Sequence, residues 1–255
     1  MSLYYCSVDD KRIKKIIKSS ANLRDRATIL GKKLTEDCSN IEWAYNPLDY
    51  AWDIHKKYIE LYGGLGAKTV ILGMNPGHGM GNTGIPFGCP EQVNKYLKIK
   101  DIKIKKIKKM HPKRTIYGLK CDKPEISGRR IWGLVKDIYG EPRNAFTKIY
   151  VMNHFPLWMF DKKGRNITPD KLPLAASKTI LELCDSTVLE IINALEAEKV
   201  IAVGNYAEKR LEKIISEENL SNLKLKKIPH PSPANPLSNK EKGAIWREMA
   251  TAVMP

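Results

Sequence analysis

Cysteine is scarce in this chain and poorly placed for cross-linking. The five residues, Cys6, Cys38, Cys89, Cys121 and Cys184, are odd in number, widely scattered and include no C-x-x-C pair. That argues against a disulfide framework, a zinc knuckle and a four-cysteine iron–sulfur cluster. Long apolar runs are also missing. No stretch approaches the roughly 18 apolar residues of a membrane span, and the opening MSLYYCSVDDKRIKK has no apolar core of signal-peptide length. The expectation is a reduced, intracellular, soluble protein with no membrane partner. Acidic residues are in deficit: 28 Asp and Glu stand against 44 Lys and Arg, for a net charge of +16. Such a surplus points to a polyanion, most often nucleic acid, through phosphate neutralisation. A lysine-rich proteome is the bland alternative, and composition does not choose between them.

What is present is enough for a folded core. The chain has 255 residues, 42% of them hydrophobic, which sets it apart from disordered sequences. Residues up to about Tyr62 read as helical, most clearly in PLDYAWDIHKKYIELYGG, where Pro47 sits in the first turn and Gly63 ends the run. Four β-branched runs follow as strand candidates: Thr69–Met74, Lys148–Asn153, Val200–Gly204 and Leu223–Ile228. Helical segments around Gly128–Tyr139, Leu174–Ala197, Ala207–Ser216 and Lys240–Val253 alternate with them. That order predicts an α/β fold, parallel strands with right-handed crossovers and helices on both faces. With no internal repeat and no flexible linker, residues 1–255 read as a single domain whose first 65 residues are mainly helical. One segment stands apart: KIKDIKIKKIKK, Lys98 to Lys109, with seven Lys, four Ile and one Asp. It reads either as a solvated basic face or insertion, or as a track for a phosphate backbone.

Two loops carry the chemistry. GMNPGHGMGNTGIPFG, Gly73 to Gly88, follows the first strand run, and HPSPANP, His230 to Pro236, follows the last. Loops at the carboxyl ends of parallel strands are where α/β folds bind ligands. The first is glycine-rich but has neither the Gly-Lys-Ser/Thr of a P-loop nor a G-x-G-x-x-G. Asn75 can hold a water or a polar substrate group, and Phe87, between Pro86 and Gly88, can offer a ring face for stacking. His230 lies between Pro229 and Pro231 on a loop stiffened by further prolines, a fair place for a catalytic imidazole. A third strand end supplies Asn153, whose amide offers a donor and an acceptor suited to the edge of a uracil-like base. Its neighbour His154 points the other way along a strand and is read as structural. Asp161 to Asn166 reads as a turn, with Thr168 or Asp170 capping the next helix, and no chemistry is assigned there.

From Ile41 to about Arg247 the chain resembles the single-strand-selective monofunctional uracil-DNA glycosylases of the uracil-DNA glycosylase superfamily. YNPLDYAW, GMNPGHGMGNTGIPFG, HPKRTIYGL, SGRRIWG, the segments around Asn153 and Asn166, VGNYAE and HPSPANP carry the likeness in order and spacing. The resemblance implies a four-stranded parallel sheet flanked by helices, with no metal and no cofactor. By position it makes Asn75 the water-positioning residue, Phe87 the ring on which the flipped base stacks, Asn153 the reader of the base's polar edge and His230 the group that stabilises the departing base. Backbone at Met74, Gly77 and Met80 would line the pocket near the base's C5. The loop at Ser232, Pro233, Ala234 and Asn235, with Lys240 beyond it, would push into DNA. Ala234 stands where the family usually has Arg, so Asn235, Leu237 or Lys240 is expected to substitute. The loop after Asn75 is one residue shorter than the commonest family form and carries His78.

The function implied is excision of uracil, and of 5-substituted uracils, from single- or double-stranded DNA, leaving an abasic site without strand cleavage. The protein would act as a monomer, in cytoplasm or nucleoid if prokaryotic and in the nucleus if eukaryotic. Two other readings stay open: the same fold acting on deaminated purines such as hypoxanthine or xanthine, and a DNA-binding protein without catalysis.

Overall fold

In a computed structural model the residues described are 8–255; Cys6 and the first part of the opening segment lie outside them. The chain runs α1 (Asp10–Asp37), β1 (Trp43–Tyr45), α2 (Pro47–Tyr50), α3 (Trp52–Tyr62), β2 (Thr69–Gly73), α4 (His78–Thr83), α5 (Pro90–Lys95), α6 (Ile126–Tyr139) and α7 (Pro142–Phe146). It continues through β3 (Ile149–Asn153), β4 (Trp158–Phe160), β5 (Asn166–Ile167), α8 (Leu174–Leu195), β6 (Lys199–Val203), α9 (Asn205–Glu217), β7 (Lys224–Ile228) and α10 (Ala244–Thr251).

The four expected strands form one parallel sheet in the order β3-β2-β6-β7. The central strand β2 is buried at every residue, which is why TVILG shows no polar alternation. At one edge β7 leaves Lys224, Lys226 and Lys227 exposed, and lysines on an edge oppose pairing with another chain. Helices flank the sheet. Residues Val188, Ile191, Ile192 and Leu195 of α8 and Ala207, Leu211 and Ile214 of α9 join the strand side chains in the larger apolar core. The long α1 packs chiefly on α8. Its start is set by Asp9, whose carboxylate accepts the Arg12 N–H at 3.0 Å.

The first 65 residues depart from the helical reading in two places. A short strand, β1, interrupts them, and the helix after Asn46 breaks at Ala51 into α2 and α3. β1 belongs to a second, antiparallel sheet of order β1-β4-β5, in which Trp43 pairs with Phe160 and Phe160 with Asn166. The turn read at Asp161 to Asn166 is thus a hairpin connection. Neither expected cap is used: Thr168 precedes a 3-10 turn without a side-chain hydrogen bond, and α8 starts after Pro173. The Gly73–Gly88 loop contains a helix of its own, α4.

Candidate active site

Asn75 lies two residues beyond β2, Asn153 ends β3, and His230 lies two residues beyond β7. Because those strands are parallel, all three side chains arrive at the carboxyl end of one sheet. They line one cavity of about 420 Å³, together with Met74, Gly77, Met80, Phe87, Ser232 and Ala234. That volume lies in the range of small-ligand sites. Pro233, Asn235 and Lys240, expected in the DNA-contacting loop, do not line it. Pro233 and Lys240 are exposed, and Asn235 is engaged within the loop.

Asn153 is held tightly and satisfied only in part. Its Nδ2 donates to the Met80 sulfur at 3.1 Å, a soft acceptor, while its Oδ1 is buried with no hydrogen-bond partner. An unpaired buried acceptor costs about 1–3 kcal/mol, and a ligand N–H would relieve it. Gly73 permits this arrangement: a Cβ there would meet Asn153 Oδ1 at 2.2 Å and the Phe87 ring at 2.7 Å. The Phe87 backbone takes φ +51°, costly for a bulky residue. Flanking bonds hold it, from the Gly88 N–H to the Ile85 carbonyl and from the Cys89 N–H to the Phe87 carbonyl, both 2.8 Å.

His230 faces Phe87 with ring centroids 6.3 Å apart and planes 43° apart. Its Nδ1 accepts the Ser232 N–H at 3.1 Å, which puts the proton of the neutral ring on Nε2. Burial pushes its pKa below the ordinary 6.5, so near neutral pH the ring is an uncharged donor. Its loop is tied by hydrogen bonds from α6, from α10 and from its own asparagines as well as by proline. The Trp246 indole donates to the Pro229 carbonyl (2.7 Å), Arg130 to the Pro231 carbonyl (2.7 Å), Asn235 to the His230 carbonyl (2.9 Å) and Asn239 to the Pro233 carbonyl (2.6 Å). Beneath it Gly204, at φ +87° and ψ 173°, brings the end of β6 to within 3.3 Å of the His230 Cβ, measured from an added Cβ. Asn75 donates from Nδ2 to the Pro76 carbonyl at 3.1 Å, which leaves its Oδ1 to accept from water.

Five cavity residues were not among the expected site residues: Pro76, beside Asn75, and Glu125, Ser127, Asn166 and Thr168. Glu125 caps α6, accepting the Ser127 N–H at 3.2 Å and the Gly128 N–H at 2.5 Å, and burial raises its pKa. The signal for it was a carboxylate just ahead of a helix start. Asn166 opens β5 and Thr168 follows that strand, and they gave no signal beyond their place in the resembling GRN-x-TP segment. His154 points away, as expected, into a buried network. Its Nε2 meets Asp185 Oδ1 at 2.9 Å, its Nδ1 meets the Tyr206 hydroxyl at 2.9 Å, and Arg210 and Lys213 close on the same carboxylate. His78 turns to the Cys121 sulfur at 3.2 Å. Among the described residues no group of three or more His, Cys, Asp or Glu is placed to hold a metal ion, and no helix is long and apolar enough to cross a membrane.

A sequence profile of the uracil DNA glycosylase superfamily matches residues 61–250. The chain belongs to that superfamily. A protein of Bos taurus named single-strand selective monofunctional uracil DNA glycosylase is 35% identical over 205 residues, 80% of this chain and 75% of its own length. Its namesake from Rattus norvegicus is 36% identical over 197 residues, 77% of this chain and 70% of its own. Within the superfamily the chain therefore falls in the single-strand-selective monofunctional family. The crystal structure of wild-type SMUG2 from Pedobacter heparinus superposes with a TM-score of 0.62 at 18% identity, over 84% of this chain and 87% of the other. That likeness supports the α/β fold alone. The resemblance read from the motifs and the membership found by comparison agree, and Asn75, Phe87, Asn153 and His230 share one cavity.

Proposed function

We propose that the chain removes uracil from DNA by hydrolysing its N-glycosidic bond, working as one catalytic unit. The observation that carries this reading is the orphaned Asn153 Oδ1 in a cavity shared with Asn75, Phe87 and His230. An acceptor at that point matches the N3–H of uracil; cytosine has no hydrogen there. Extruding the base costs a few kcal/mol, least in single strands. Stacking on Phe87 returns about 1–3 kcal/mol per base.

Cleavage moves the electron pair of the C1′–N1 bond onto the base, leaving positive charge on the sugar. The Nε2–H of neutral His230 donates to the O2 where negative charge collects. Aimed donors of this kind are worth about 10²–10³ in rate. Asn75 Oδ1 accepts from a water whose oxygen bonds to C1′ and whose proton leaves to solvent, while the uracil anion takes a proton from solvent at N1. The products are free uracil and an abasic site. Among the described residues no lysine lines the cavity, so no Schiff base forms and the strand is not cut. Met74, Gly77 and Met80 set the room at C5, which decides tolerance of 5-substituted uracils.

Labelled oligonucleotides carrying one uracil or one hypoxanthine, treated with protein and then alkali, test this reading. Cleavage at uracil only after alkali, with no adduct trapped by borohydride, is expected. Preferred release of hypoxanthine, or a trapped adduct, would overturn it.

A further inference from the structure

The Lys98–Lys109 segment is not used by the cavity, and the fold gives it a definite form. It has no helix or strand and no carboxylate face. Ile99 is buried, and Ile102, Ile104 and Ile107 pack against the main core. All seven lysines are exposed. The Lys105 N–H donates to the Tyr50 carbonyl at 2.7 Å, and left-handed residues at Lys98 (φ +54°) and Asp101 (φ +62°) set its bends. It is a strap pinned by isoleucines, with lysines turned outward.

Its charge is poorly balanced. Lys105 pairs with Asp49 at 2.9 Å and Lys109 sits 5.3 Å over the Trp43 ring. Among the described residues, Lys98, Lys100, Lys103, Lys106 and Lys108 have no carboxylate within 4.0 Å. Seven Lys less one Asp make +6 of the chain's +16 in twelve residues. Runs of like charge repel and are usually disordered. Holding one in a fixed strap costs energy that bound phosphates would offset.

The strap also leads to the cavity. Beyond Lys109 the chain reaches His111, whose N–H donates to the Tyr45 hydroxyl, and Arg114, whose Nε donates to the Gly164 carbonyl at 2.8 Å. Gly164 is in the turn of the β4–β5 hairpin, which exposes Lys162 and Lys163. The second strand of that hairpin carries Asn166 and leads on to Thr168, both on the cavity wall. A basic path therefore joins the strap to the rim through Lys113, Arg114, Lys162 and Lys163.

We infer that the strap is a second nucleic-acid contact, holding the phosphate backbone of DNA beyond the nucleotide in the cavity. This rests on the uracil-excision reading for its partner, not for its test. The experiment compares wild type with a variant in which Lys100, Lys103, Lys106 and Lys108 are all changed to Gln, and with one in which they are changed to Arg. Binding to an undamaged single strand of about 30 nucleotides is followed across salt, beside uracil release from substrates of about 8 and about 30 nucleotides. The Gln variant should bind the long strand about tenfold more weakly, with a log–log salt slope shallower by about 3, at about 0.7 per phosphate lost. Its kcat should be unchanged on both substrates, its KM raised only on the long one, and the Arg variant should restore both. Unchanged long-strand affinity and salt slope would overturn the inference. So would lysine-dependent binding to phosphatidylserine vesicles with DNA affinity untouched, which would assign the strap to a membrane surface. Undamaged DNA reads the strap and uracil release reads the cavity, so failure of one is distinguishable from failure of the other.

Discussion

Single side chains here act through what their neighbours leave unpaired. Asn153 commits one amide hydrogen to the Met80 sulfur and keeps a buried acceptor free, while His230 spends its acceptor on the Ser232 N–H and keeps a donor. The two residues thus offer opposite hydrogen-bonding halves, as a base with an N–H beside a carbonyl requires. Asn75 has a different task, since an amide holds water but cannot take its proton. Asn75→Ala should therefore lower single-turnover uracil release by about 10²-fold or more while affinity for uracil-containing DNA stays within about twofold. Equal loss of rate and affinity would show that Asn75 binds rather than positions water. Asn75 and His230 were legible in the sequence because each stands beside a proline just past a β-branched run, and Asn153 because it closes one. Glu125 was not, because a carboxylate that caps a helix looks the same whether or not a cavity lies beside it.

At the scale of elements, the parallel sheet was readable and the antiparallel one was not. A buried strand such as TVILG has few alternatives. β1, β4 and β5 have three, three and two residues, too short for a period, and Trp43 meets Phe160 only because the chain returns after more than a hundred residues. The missed break at Ala51 has the same origin: an apolar stripe continues across it, so periodicity alone does not see it. The position of His230 is likewise a property of elements, set by the ends of β6 and β7 and by α10 through Trp246. Gly204 is one of these supports, in a region of φ and ψ that is essentially restricted to glycine. Gly204→Ala should cost about 1–3 kcal/mol of stability, read as a drop of several degrees in Tm, and should lower kcat more than it raises KM. A variant with wild-type Tm and kcat would remove the strand end from the account of how His230 is held.

The whole molecule is basic outside, and four of its histidines are held toward the neutral form by burial. His55, His78, His154 and His230 all have pKa values below the ordinary 6.5, in each case chiefly through burial, and His55 falls to about 4. A base whose folded pKa is depressed binds protons more readily when unfolded, so its contribution to stability is present above pH 6.5 and is lost as pH falls. For His55, whose Nδ1 meets the Gly84 carbonyl at 2.8 Å, the loss between pH 6.5 and about 4 amounts to about 3 kcal/mol. Tm should therefore fall steadily over that window, and less steeply in His55→Asn. A flat profile would contradict the burial argument. The same neutrality keeps His230 a donor without charge at working pH, which joins the molecule's acid sensitivity to the chemistry of its cavity.

That chemistry is tested most directly by the single-turnover rate of uracil release from an oligonucleotide with one uracil, for wild type beside His230→Ala. Wild type should free uracil and leave an alkali-labile site. The variant should do so about 10²–10³-fold more slowly, with DNA affinity little changed. Equal rates in the two proteins, or no uracil released by wild type, would contradict this chemistry.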